Sequence, residues 1–462
     1  MTFNLYNTLS HRIEEFQTIT PGKALFYACG PTVYNYAHIG NFRSFVAIDL
    51  LRRTLRHKGY AVTHVMNLTD VDDKTIRDSR KEGKSLQEFT EFYTEAFFED
   101  FDTLNIERPE HVTKATDYIQ EMIALIQTLV DKGYAYEKNG NVYYAINKFA
   151  DYGRLVGLEH TDLRDNADGR LQEADEYDKD HARDFSLWKA YDKDEGDNYW
   201  ESPWGKGRPG WHIECSVMST DKLGPTFDLH AGGADLKFPH HTNEIAQAEA
   251  ATGKKFCNYW FHVEFLIVEG EKMSKSLGNF YTIRDLLKKG YGGREIRHVL
   301  LGTHYRQKLN FTLKGLDAAK HTLERIDDFL LRMHEAAGSD NANKEIDNAK
   351  QGFEAALDDD LNISGALAAV HEFMKNVNKK KLNDKAANKV LQTMYSFDEV
   401  LGLGMKQVKL SEVDDGIEAL IERREEARKH KDWETADKIR DDLKQQGIEL
   451  RDTPEGPRWK RV

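Results

Sequence analysis

The stretch KALFYACGPTVYNYAHIGN, residues 23–41, decides the fold class of this chain. It opens on a short apolar segment, Lys23–Cys29, which a Gly-Pro pair closes, and this pattern is typical of a buried strand. Residues 38–58 have the apolar spacing of a helix, and the apolar segment AVTHVMN, residues 61–67, predicts a second strand. A strand, a helix and a strand in this order form a βαβ unit, so we predict an α/β fold built on a parallel sheet.

The composition excludes several classes of protein. With 40% hydrophobic and 31% charged residues over a length of 462, the chain is typical of a globular protein and not of a disordered one. Its 65 basic and 78 acidic residues give a net charge of −13, which excludes a generally basic protein that coats nucleic acid but leaves room for a local basic face. Three cysteines do not suggest a disulfide framework, and a reducing compartment is the simplest interpretation.

Neither a signal sequence nor a membrane span is visible in the sequence. The N-terminal residues MTFNLYNTLSHRIEEF lack an apolar segment after a basic start, so they do not resemble a secretory signal. No apolar run approaches the ~18 residues that cross a bilayer. We therefore expect a cytoplasmic protein without a membrane partner.

Changes of pattern along the chain predict its organisation. The parallel sheet is predicted in two halves, residues 1–115 and 205–268, which an insertion over 116–204 separates. The insertion contains a predicted hairpin around an Asn-Gly turn, and the second half ends in a predicted strand over 260–268. The rest of the chain is predicted as a charged loop region over 269–315, an amphipathic helical bundle over 316–405 and a charged C-terminal module over 406–462.

The tetrapeptide His38-Ile39-Gly40-Asn41 lies where the first predicted helix begins. A helix N-terminus offers free backbone N–H groups and a partial positive charge, which suit a phosphate. His38 and Asn41 are three residues apart and share one face of the first turn, and Gly40 lets a bound group approach the backbone closely. These residues predict a phosphate site with two neutral donors. The alternative is an ordinary solvated first turn.

The loop EKMSKS, residues 271–276, is a second candidate for phosphate binding. It follows an apolar strand and precedes a Gly-Asn pair. Lys272 and Lys275, with serines between them, could close over a triphosphate, and Lys275 would neutralise charge on a leaving pyrophosphate. The alternative is an exposed basic loop, because short lysine-rich loops are common.

Four side chains of metal-binding type are candidates for a zinc site. Cys29 ends the first strand and Cys215 lies in the string GWHIECS. His240 and Glu244 are four residues apart on a predicted helix, so their side chains share a face. Two thiolates, one imidazole and one carboxylate make a plausible zinc set, whereas the alternative for a lone cysteine is a small core residue. His241 is expected to point to another face of the helix.

Five strings carry a resemblance to a known family. They are CGPTVYNYAHIGN (29–41), MNLTDVDDK (66–74), GWHIECS (210–216), HAGGADLKFPHHTNEIAQ (230–247) and EKMSKSLGN (271–279). The elements HIGN and KMSKS resemble the two signatures of the class I aminoacyl-tRNA synthetases, with Asn41 where the general pattern has His. Together the strings resemble the cysteinyl-tRNA synthetase family, and the resemblance runs through the whole chain, including the C-terminal module.

This resemblance implies a fold, an activity and its cofactors. The sheet halves would form a Rossmann-like catalytic, nucleotide-binding domain, and residues 269–315 would be the KMSKS loop and stem-contact region. The chain would be a monomeric ligase that activates L-cysteine with ATP to cysteinyl-adenylate and transfers it to tRNA(Cys). One Zn²⁺ per chain would bind the substrate thiol and so distinguish cysteine from serine, because zinc prefers a thiolate to an alcohol. Mg²⁺ is expected with ATP.

The resemblance also implies roles for individual residues. The zinc ligands would be Cys29, Cys215, His240 and Glu244, whereas Cys257 matches no ligand position. ATP would be bound by His38, Gly40, Asn41 and Lys275, and the catalytic residues would be His38, Asn41, Lys272 and Lys275. The cysteine pocket would be lined by Thr69, Trp211, His230 and Asp235. Asp235 would be the partner of the substrate ammonium, and the alternative for Trp211 is core packing.

The C-terminal module, residues 406–462, resembles the anticodon-binding module of the family. Arg428 could contact a base edge or a phosphate, and Trp433 could stack on an unstacked base. Asp437 and Asp452 could accept hydrogen bonds from base amino groups. The alternative for each of them is an ordinary solvated face of a helix.

Two other functions stay open from the sequence. A tRNA-independent cysteine ligase, such as the paralogue of mycothiol synthesis, would share the zinc site, His38 and Lys275 but would not need the C-terminal module. Deletion of residues 405–462 would discriminate, and the run around Trp433 argues against this function. A catalytically idle tRNA-binding or zinc-storage relative would lack cysteine-dependent pyrophosphate exchange, and the intact KMSKS element argues against it.

Overall fold

The computed structural model describes residues 2–157, 184–274, 277–408, 415–446, 448–453 and 456–461. The chain begins with an antiparallel pair of strands and then forms the βαβ unit. The elements of this first part are β1 (Asn4–Asn7), β2 (Arg12–Glu15), β3 (Lys23–Ala28), α1 (Ile39–His57), β4 (Ala61–Leu68), α2 (Asp73–Lys81), α3 (Leu86–Thr103) and β5 (His111–Lys114). The predicted order of strand, helix and strand is confirmed.

A smaller antiparallel sheet interrupts the α/β domain. It follows α4 (Ile119–Asp131) and consists of β6 (Ala135–Lys138), β7 (Asn141–Tyr144), β8 (Phe185–Ala190) and β9 (Gly207–Pro209), paired in that order. The strands β6 and β7 form the predicted hairpin, and its turn residues Asn139 and Gly140 have φ values of 56° and 80°, as a tight hairpin turn requires. The antiparallel sheet continues to Pro209 and so extends past residue 204, where the insertion is predicted to end.

The second half of the α/β domain again alternates helices and strands. It comprises α5 (Trp211–Leu223), β10 (Phe227–Gly233), α6 (His240–Thr252) and β11 (Cys257–Val263). A three-stranded sheet of β12 (Leu266–Val268), β13 (Glu271–Lys272) and β14 (Leu309–Phe311) follows. The prediction of one strand over 260–268 is therefore wrong. The break lies at Glu264, whose backbone N–H donates to the carbonyl of Tyr305 at 2.8 Å.

The central sheet has five parallel strands in the order β11-β10-β3-β4-β5. The chain leaves β3 towards β4 on one side and returns to its other side at β10. At such a switch point the loops diverge and leave a crevice at the carboxyl ends of the two strands, which is where open α/β sheets bind ligands. The crevice beyond the carboxyl ends of β3 and β10 is therefore the expected position of a ligand site.

The C-terminal half of the chain is helical. Two short helices, α7 (Ile283–Lys288) and α8 (Gly293–Leu301), precede β14 and the longer helices α9 (Leu313–His334), α10 (Asn343–Asp358), α11 (Ile363–Val377) and α12 (Asp384–Leu401). One apolar core joins the sheet to these helices and includes Phe26, Leu50 and Phe353. A buried ion pair of 2.5 Å between Asp49 of α1 and Arg297 of α8 adds to this junction.

The last described elements have a small core of their own. They are α13 (Asp415–Lys429), α14 (Trp433–Gln445) and an antiparallel pair, β15 (Ile448–Thr453) and β16 (Gly456–Arg461). Their buried apolar residues are Ile417, Ile421, Ile439, Leu443, Ile448 and Leu450. Among the described helices of the chain, none combines the length and the hydropathy that a bilayer crossing requires.

Candidate active site and metal centre

The candidate site lies at the carboxyl ends of β3 and β10. Cys29 directly follows β3, and His230 lies within β10 beside Tyr27 of β3. Cys215 lies on α5, and Glu244 lies on α6. The parallel sheet thus brings Cys29 next to Glu244, which is 215 positions away in the sequence.

The four predicted metal ligands, Cys29, Cys215, His240 and Glu244, are buried, and their donor atoms lie within 4.8 Å of one another. The two Sγ atoms are 3.8 Å apart, and Cys215 Sγ lies 3.5 Å from His240 Nε2. Glu244 Oε1 lies 3.1 Å from His240 Nε2 and 3.8 Å from Cys29 Sγ. A tetrahedral zinc ion, with bonds of about 2.3 Å to sulfur and about 2.0–2.2 Å to nitrogen or oxygen, separates its ligand atoms by roughly 3.4–3.8 Å. The donor set and its spacing therefore fit zinc.

A second, overlapping group places His241 at the same site. Cys29, His230, His241 and Glu244 also have donor atoms within 4.8 Å of one another. His241 Nε2 lies 3.3 Å from Cys29 Sγ, so the expectation that His241 points to another face is wrong. His241 precedes Glu244 by three residues, a spacing that shares a helix face, so the signal was present in the sequence.

Outer contacts orient the two neighbouring histidines. His240 Nδ1 lies 2.8 Å from His212 Nδ1, and the His240 ring stacks on Trp211 with centroids 4.2 Å apart. His241 Nδ1 lies 2.8 Å from His262 Nε2. In both histidines these contacts leave Nε2 facing a thiol. Contacts of this kind fix the ring orientation of metal ligands.

Burial controls protonation in this cluster. It raises the pKa of the Cys29 and Cys215 thiols, because a thiolate there loses its hydration. For the same reason burial lowers the pKa of His240 and His241 well below the usual imidazole value. On their own these groups are therefore neutral near pH 7. A divalent cation would supply the positive charge that ionises the thiols.

Two of the four residues predicted to line the cysteine pocket, His230 and Trp211, contact this cluster. Thr69 follows β4 and donates from Oγ1 to Glu214 Oε2 at 2.7 Å, and His230 Nε2 lies 2.8 Å from Glu244 Oε2. Asp235 follows β10, and burial raises the pKa of its carboxyl. The sequence interpretation missed Glu214, which is fully buried. No spacing rule could find it, because its partner Thr69 is 145 positions away.

His38 and Asn41 form a reciprocal cap at the start of α1. The Asn41 backbone N–H donates to His38 Nδ1 at 3.2 Å, and Asn41 Oδ1 accepts from the His38 backbone N–H at 3.0 Å. Because Nδ1 accepts, the ring proton of a neutral His38 lies on Nε2. The two side chains are thus fixed at the helix N-terminus as the sequence predicts, while their roles towards ATP stay predictions.

The loop that carries the two predicted lysines meets the start of α1. Met273 lies against Gly40, where a Cβ would be 3.3 Å from Met273 Cε and 2.9 Å from the His38 ring. The ring of Phe280 packs edge-on against His38, with centroids 5.2 Å apart. The two candidate phosphate-binding elements are therefore neighbours in the structure.

The base of this loop is held by an asparagine. Asn279 Oδ1 accepts from the Ser274 backbone N–H at 2.7 Å, and Asn279 Nδ2 donates to the Lys272 carbonyl at 3.2 Å. Lys272 is exposed at the end of β13. Lys275, the predicted partner of pyrophosphate, lies outside the described residues.

The four residues predicted to contact an anticodon lie in the last elements of the chain. Trp433 begins α14 with 58% of its surface exposed, and Asp437 is exposed one turn later. Arg428, near the end of α13, lies 3.3 Å from the carboxylate of Glu425. The side chain of Asp452 lies outside the described residues. Their contacts with tRNA stay predictions.

Three parts of the chain match known protein families. Residues 15–321 match the tRNA synthetases class I (C) catalytic domain, which covers more than half of the chain. Residues 352–406 match the DALR domain. Residues 410–459 match the cysteinyl-tRNA ligase anticodon binding domain.

Relatives that share the name cysteine–tRNA ligase align with nearly the whole chain. A cysteine–tRNA ligase of Protochlamydia amoebophila is 47% identical over 99% of this chain and 97% of its own length. The protein of the same name from Brachyspira hyodysenteriae is 48% identical over 99% of this chain and 98% of its own length. That from Solibacter usitatus is 46% identical over 100% of both.

Solved structures share the fold at low sequence identity. The ternary LeuRS–tRNA–LeuAMS complex of Agrobacterium radiobacter has a TM-score of 0.61 and 13% identity, over 85% of both chains. The methionyl-tRNA synthetase of Mycobacterium tuberculosis with methionyl-adenylate has a TM-score of 0.59 and 16% identity, over 83% of this chain and 91% of the other. The predicted Rossmann-like fold is thus confirmed. With relatives 46–48% identical along its full length, the chain belongs to the cysteine–tRNA ligase family.

Proposed function

We propose that the chain joins L-cysteine to tRNA(Cys) in two steps at the carboxyl ends of β3 and β10. In the first step, a carboxylate oxygen of cysteine attacks the α-phosphorus of ATP in line, and pyrophosphate leaves. In the second step, a hydroxyl of the terminal ribose of the tRNA attacks the carbonyl carbon of the adenylate, and AMP leaves. Neither step needs a nucleophile from the protein, so positioning and charge stabilisation carry the rate.

The observation that carries this proposal is the buried cluster of Cys29, Cys215, His240 and Glu244, in a chain of this family. A pocket that selects by size separates cysteine from serine weakly, by roughly 1–3 kcal/mol for a change of this scale. A zinc ion at these side chains would bind a thiolate in preference to an alcohol. The four side chains therefore give a physical basis for the choice of amino acid.

The start of α1 is proposed to bind the phosphates of ATP. The backbone N–H groups of a helix N-terminus attract phosphate oxygens. His38 presents its Nε2 proton as a neutral donor, and the reciprocal cap with Asn41 holds the imidazole in one orientation. Gly40 leaves room for the His38 ring and for Met273, both of which a Cβ at this position would crowd. Donors held in this way stabilise the charge that develops on the α-phosphate without reorganisation.

Lys272 and Lys275 are proposed to act on the same phosphates, with Lys275 binding the leaving pyrophosphate. The contact between Met273 and Gly40 supports this proposal, because it brings their loop to the start of α1. An ammonium is a compact point charge that suits a leaving group of this kind. Mg²⁺ is expected to bind with the ATP.

The cysteine pocket is proposed to be lined by Thr69, Trp211, His230 and Asp235. The Asp235 carboxyl is the candidate partner of the substrate ammonium, because an ion pair would offset the cost of its burial. Trp211 stacks on His240 and so packs beside the candidate metal ligands.

Transfer to tRNA(Cys) is proposed on the basis of the C-terminal module. The family match over residues 410–459 and the exposed ring of Trp433 favour a tRNA substrate over a tRNA-independent cysteine ligase. The helices over 316–405 would support the inner corner of the tRNA. We further propose that the protein acts as a cytoplasmic monomer.

Two assays on the zinc-loaded protein test the proposed function. Cysteine is expected to support exchange of pyrophosphate into ATP, and tRNA(Cys) is expected to become charged with cysteine. The absence of cysteine-dependent exchange would contradict the first step and favour an idle relative. Exchange without any charging of tRNA(Cys) would favour a tRNA-independent ligase.

The substitution Trp433→Ala is expected to raise the KM for tRNA(Cys) about tenfold and to leave pyrophosphate exchange unchanged. Stacking of one base on an aromatic ring is worth about 1–3 kcal/mol, and the adenylation site does not use this ring. Trp433→Phe is the matched control, since it keeps a ring and should retain most of the affinity. An unchanged KM for tRNA(Cys) in Trp433→Ala would show that the ring does not contact the tRNA.

A further inference from the structure

The carboxyl group of Glu214 is buried in the site without an assigned task. Glu214 lies on α5 and has no exposed surface. Its Oε2 accepts a hydrogen bond from Thr69 Oγ1, while Oε1 has no hydrogen-bond partner among the described residues. Burial of a carboxyl group costs free energy that a single hydrogen bond offsets only in part. This cost and an Oε1 without a partner in the described part of the chain point to a role of the carboxyl group beyond packing.

Three successive hydrogen bonds determine the direction of the Thr69 hydroxyl. The Gly30 backbone N–H, directly after Cys29, donates to Asn67 Oδ1 at 2.9 Å. This bond fixes the Asn67 amide, because only its oxygen can accept, and Asn67 Nδ2 then donates to Thr69 Oγ1 at 3.3 Å. Thr69 in turn donates its proton to Glu214 Oε2 at 2.7 Å. The backbone N–H fixes the direction of the first two bonds, and the third runs from Thr69 to Glu214 because Oε2 of Glu214 is the acceptor in this pair.

The result is a hydroxyl group that can only accept from a ligand. A threonine hydroxyl has one proton and two lone pairs. Glu214 takes the proton and Asn67 occupies one lone pair, so with respect to the described residues Thr69 retains one lone pair. That lone pair suits an ammonium group, which only donates, and cannot bind a carboxylate, which only accepts.

We propose that Glu214 is a positioning residue that holds the Thr69 hydroxyl as an acceptor for the ammonium group of the substrate. This inference rests on the proposed function, because it takes Thr69 as part of the cysteine pocket. The network begins at Gly30, next to the candidate zinc ligand Cys29, and so ties recognition of the amine to the element that binds the thiol. Glu214 would thereby help to separate an α-amino acid from other small thiols.

Two analogues of cysteine separate recognition of the ammonium from recognition of the carboxylate. 3-Mercaptopropionate lacks the ammonium group, cysteamine lacks the carboxylate, and both retain the thiol. In Glu214→Gln the new amide can donate to Thr69, so the hydroxyl is no longer held as an acceptor. Calorimetry on the full-length, zinc-loaded protein should show that the substitution raises the Kd of cysteine and of cysteamine about tenfold. A change of this size is expected from the loss of one hydrogen bond to a charged group. The Kd of 3-mercaptopropionate should change less than about twofold.

A second variant shows whether Glu214 acts through Thr69. Thr69→Val removes the hydroxyl but keeps the shape of the side chain, and it should show the same selective loss. Adding Glu214→Gln to Thr69→Val should then change nothing further. Zinc content and thermal unfolding are measured for each variant. If Glu214→Gln fails to retain zinc, the Kd values of the same three ligands for Thr69→Val test the inference instead.

The outcomes for this inference and for the proposed function are distinct. An equal loss of affinity for all three ligands, or a further loss on combining the two substitutions, would overturn the role of Glu214. A selective loss for the two amines supports it. If the unmodified, zinc-loaded protein does not bind cysteine, the proposed function itself fails.

Discussion

Replacing Lys275 with Ala is expected to slow cysteine-dependent pyrophosphate exchange by about 100- to 1,000-fold, the usual effect of removing one preorganised charge-stabilising group. Pyrophosphate leaves the α-phosphorus with growing negative charge, and the ammonium of Lys275 is the compact cation proposed to meet it. The substitution does not touch the candidate metal ligands. The zinc content of the variant should therefore equal that of the unmodified protein.

A lysine outside the loop provides the matched control for this substitution. Lys254 is exposed after the end of α6, so Lys254→Ala removes the same charge from a position with no proposed role. Its exchange rate should stay within about twofold of the unmodified protein, as surface substitutions usually do. If the exchange rate of Lys275→Ala also stays within about twofold of the unmodified protein, Lys275 does not act on the leaving pyrophosphate.

Replacing Cys215 with Ser is expected to lower the affinity for zinc by at least about 100-fold. The effect should exceed that of removing a residue that only hydrogen-bonds to a metal ligand. A serine hydroxyl does not ionise near neutral pH and is a poor zinc ligand. Cys215 Sγ lies 3.8 Å from Cys29 Sγ and 3.5 Å from His240 Nε2, so its loss opens one corner of the donor set. Metal analysis after dialysis and the Kd of cysteine measure the two effects.

Cys257 is the matched control for the thiol substitution. It is buried, and its Sγ donates to the Tyr259 carbonyl at 3.2 Å, a bond that a serine hydroxyl can also make. Cys257→Ser should therefore retain zinc and bind cysteine normally. Full zinc content together with normal cysteine affinity in Cys215→Ser would exclude Cys215 from the metal site.

Local patterns were sufficient to predict the elements that position the site. The apolar segment Lys23–Cys29 and the helical spacing after His38 predicted the βαβ unit, because each element depends on residues close in sequence. The spacing of His240 and Glu244 predicted two side chains on one face of α6, and their donor atoms are 3.1 Å apart. The segment limits at 116–204 and 269–315 stay predictions, since the catalytic-domain family spans 15–321 without a division.

Two of the errors have the same physical cause, which is contact between distant parts of the chain. The apolar run over 260–268 reads as one strand, but Tyr305, far along the chain, takes up the backbone N–H of Glu264 and separates β11 from β12. Glu214 is invisible as a functional candidate until the sheet brings Thr69 to it. The omission of His241 was different, because its spacing to Glu244 was available in the sequence.

Metal analysis combined with pyrophosphate exchange distinguishes selection of the amino acid by zinc from selection by the shape of the pocket. We expect one zinc ion per chain, exchange with cysteine but not with serine, and loss of the cysteine-dependent exchange when a chelator removes the ion. Restoring zinc should restore the exchange. A metal-free preparation that is fully active, or one that activates serine as readily as cysteine, would contradict the claim that zinc at Cys29, Cys215, His240 and Glu244 selects the amino acid.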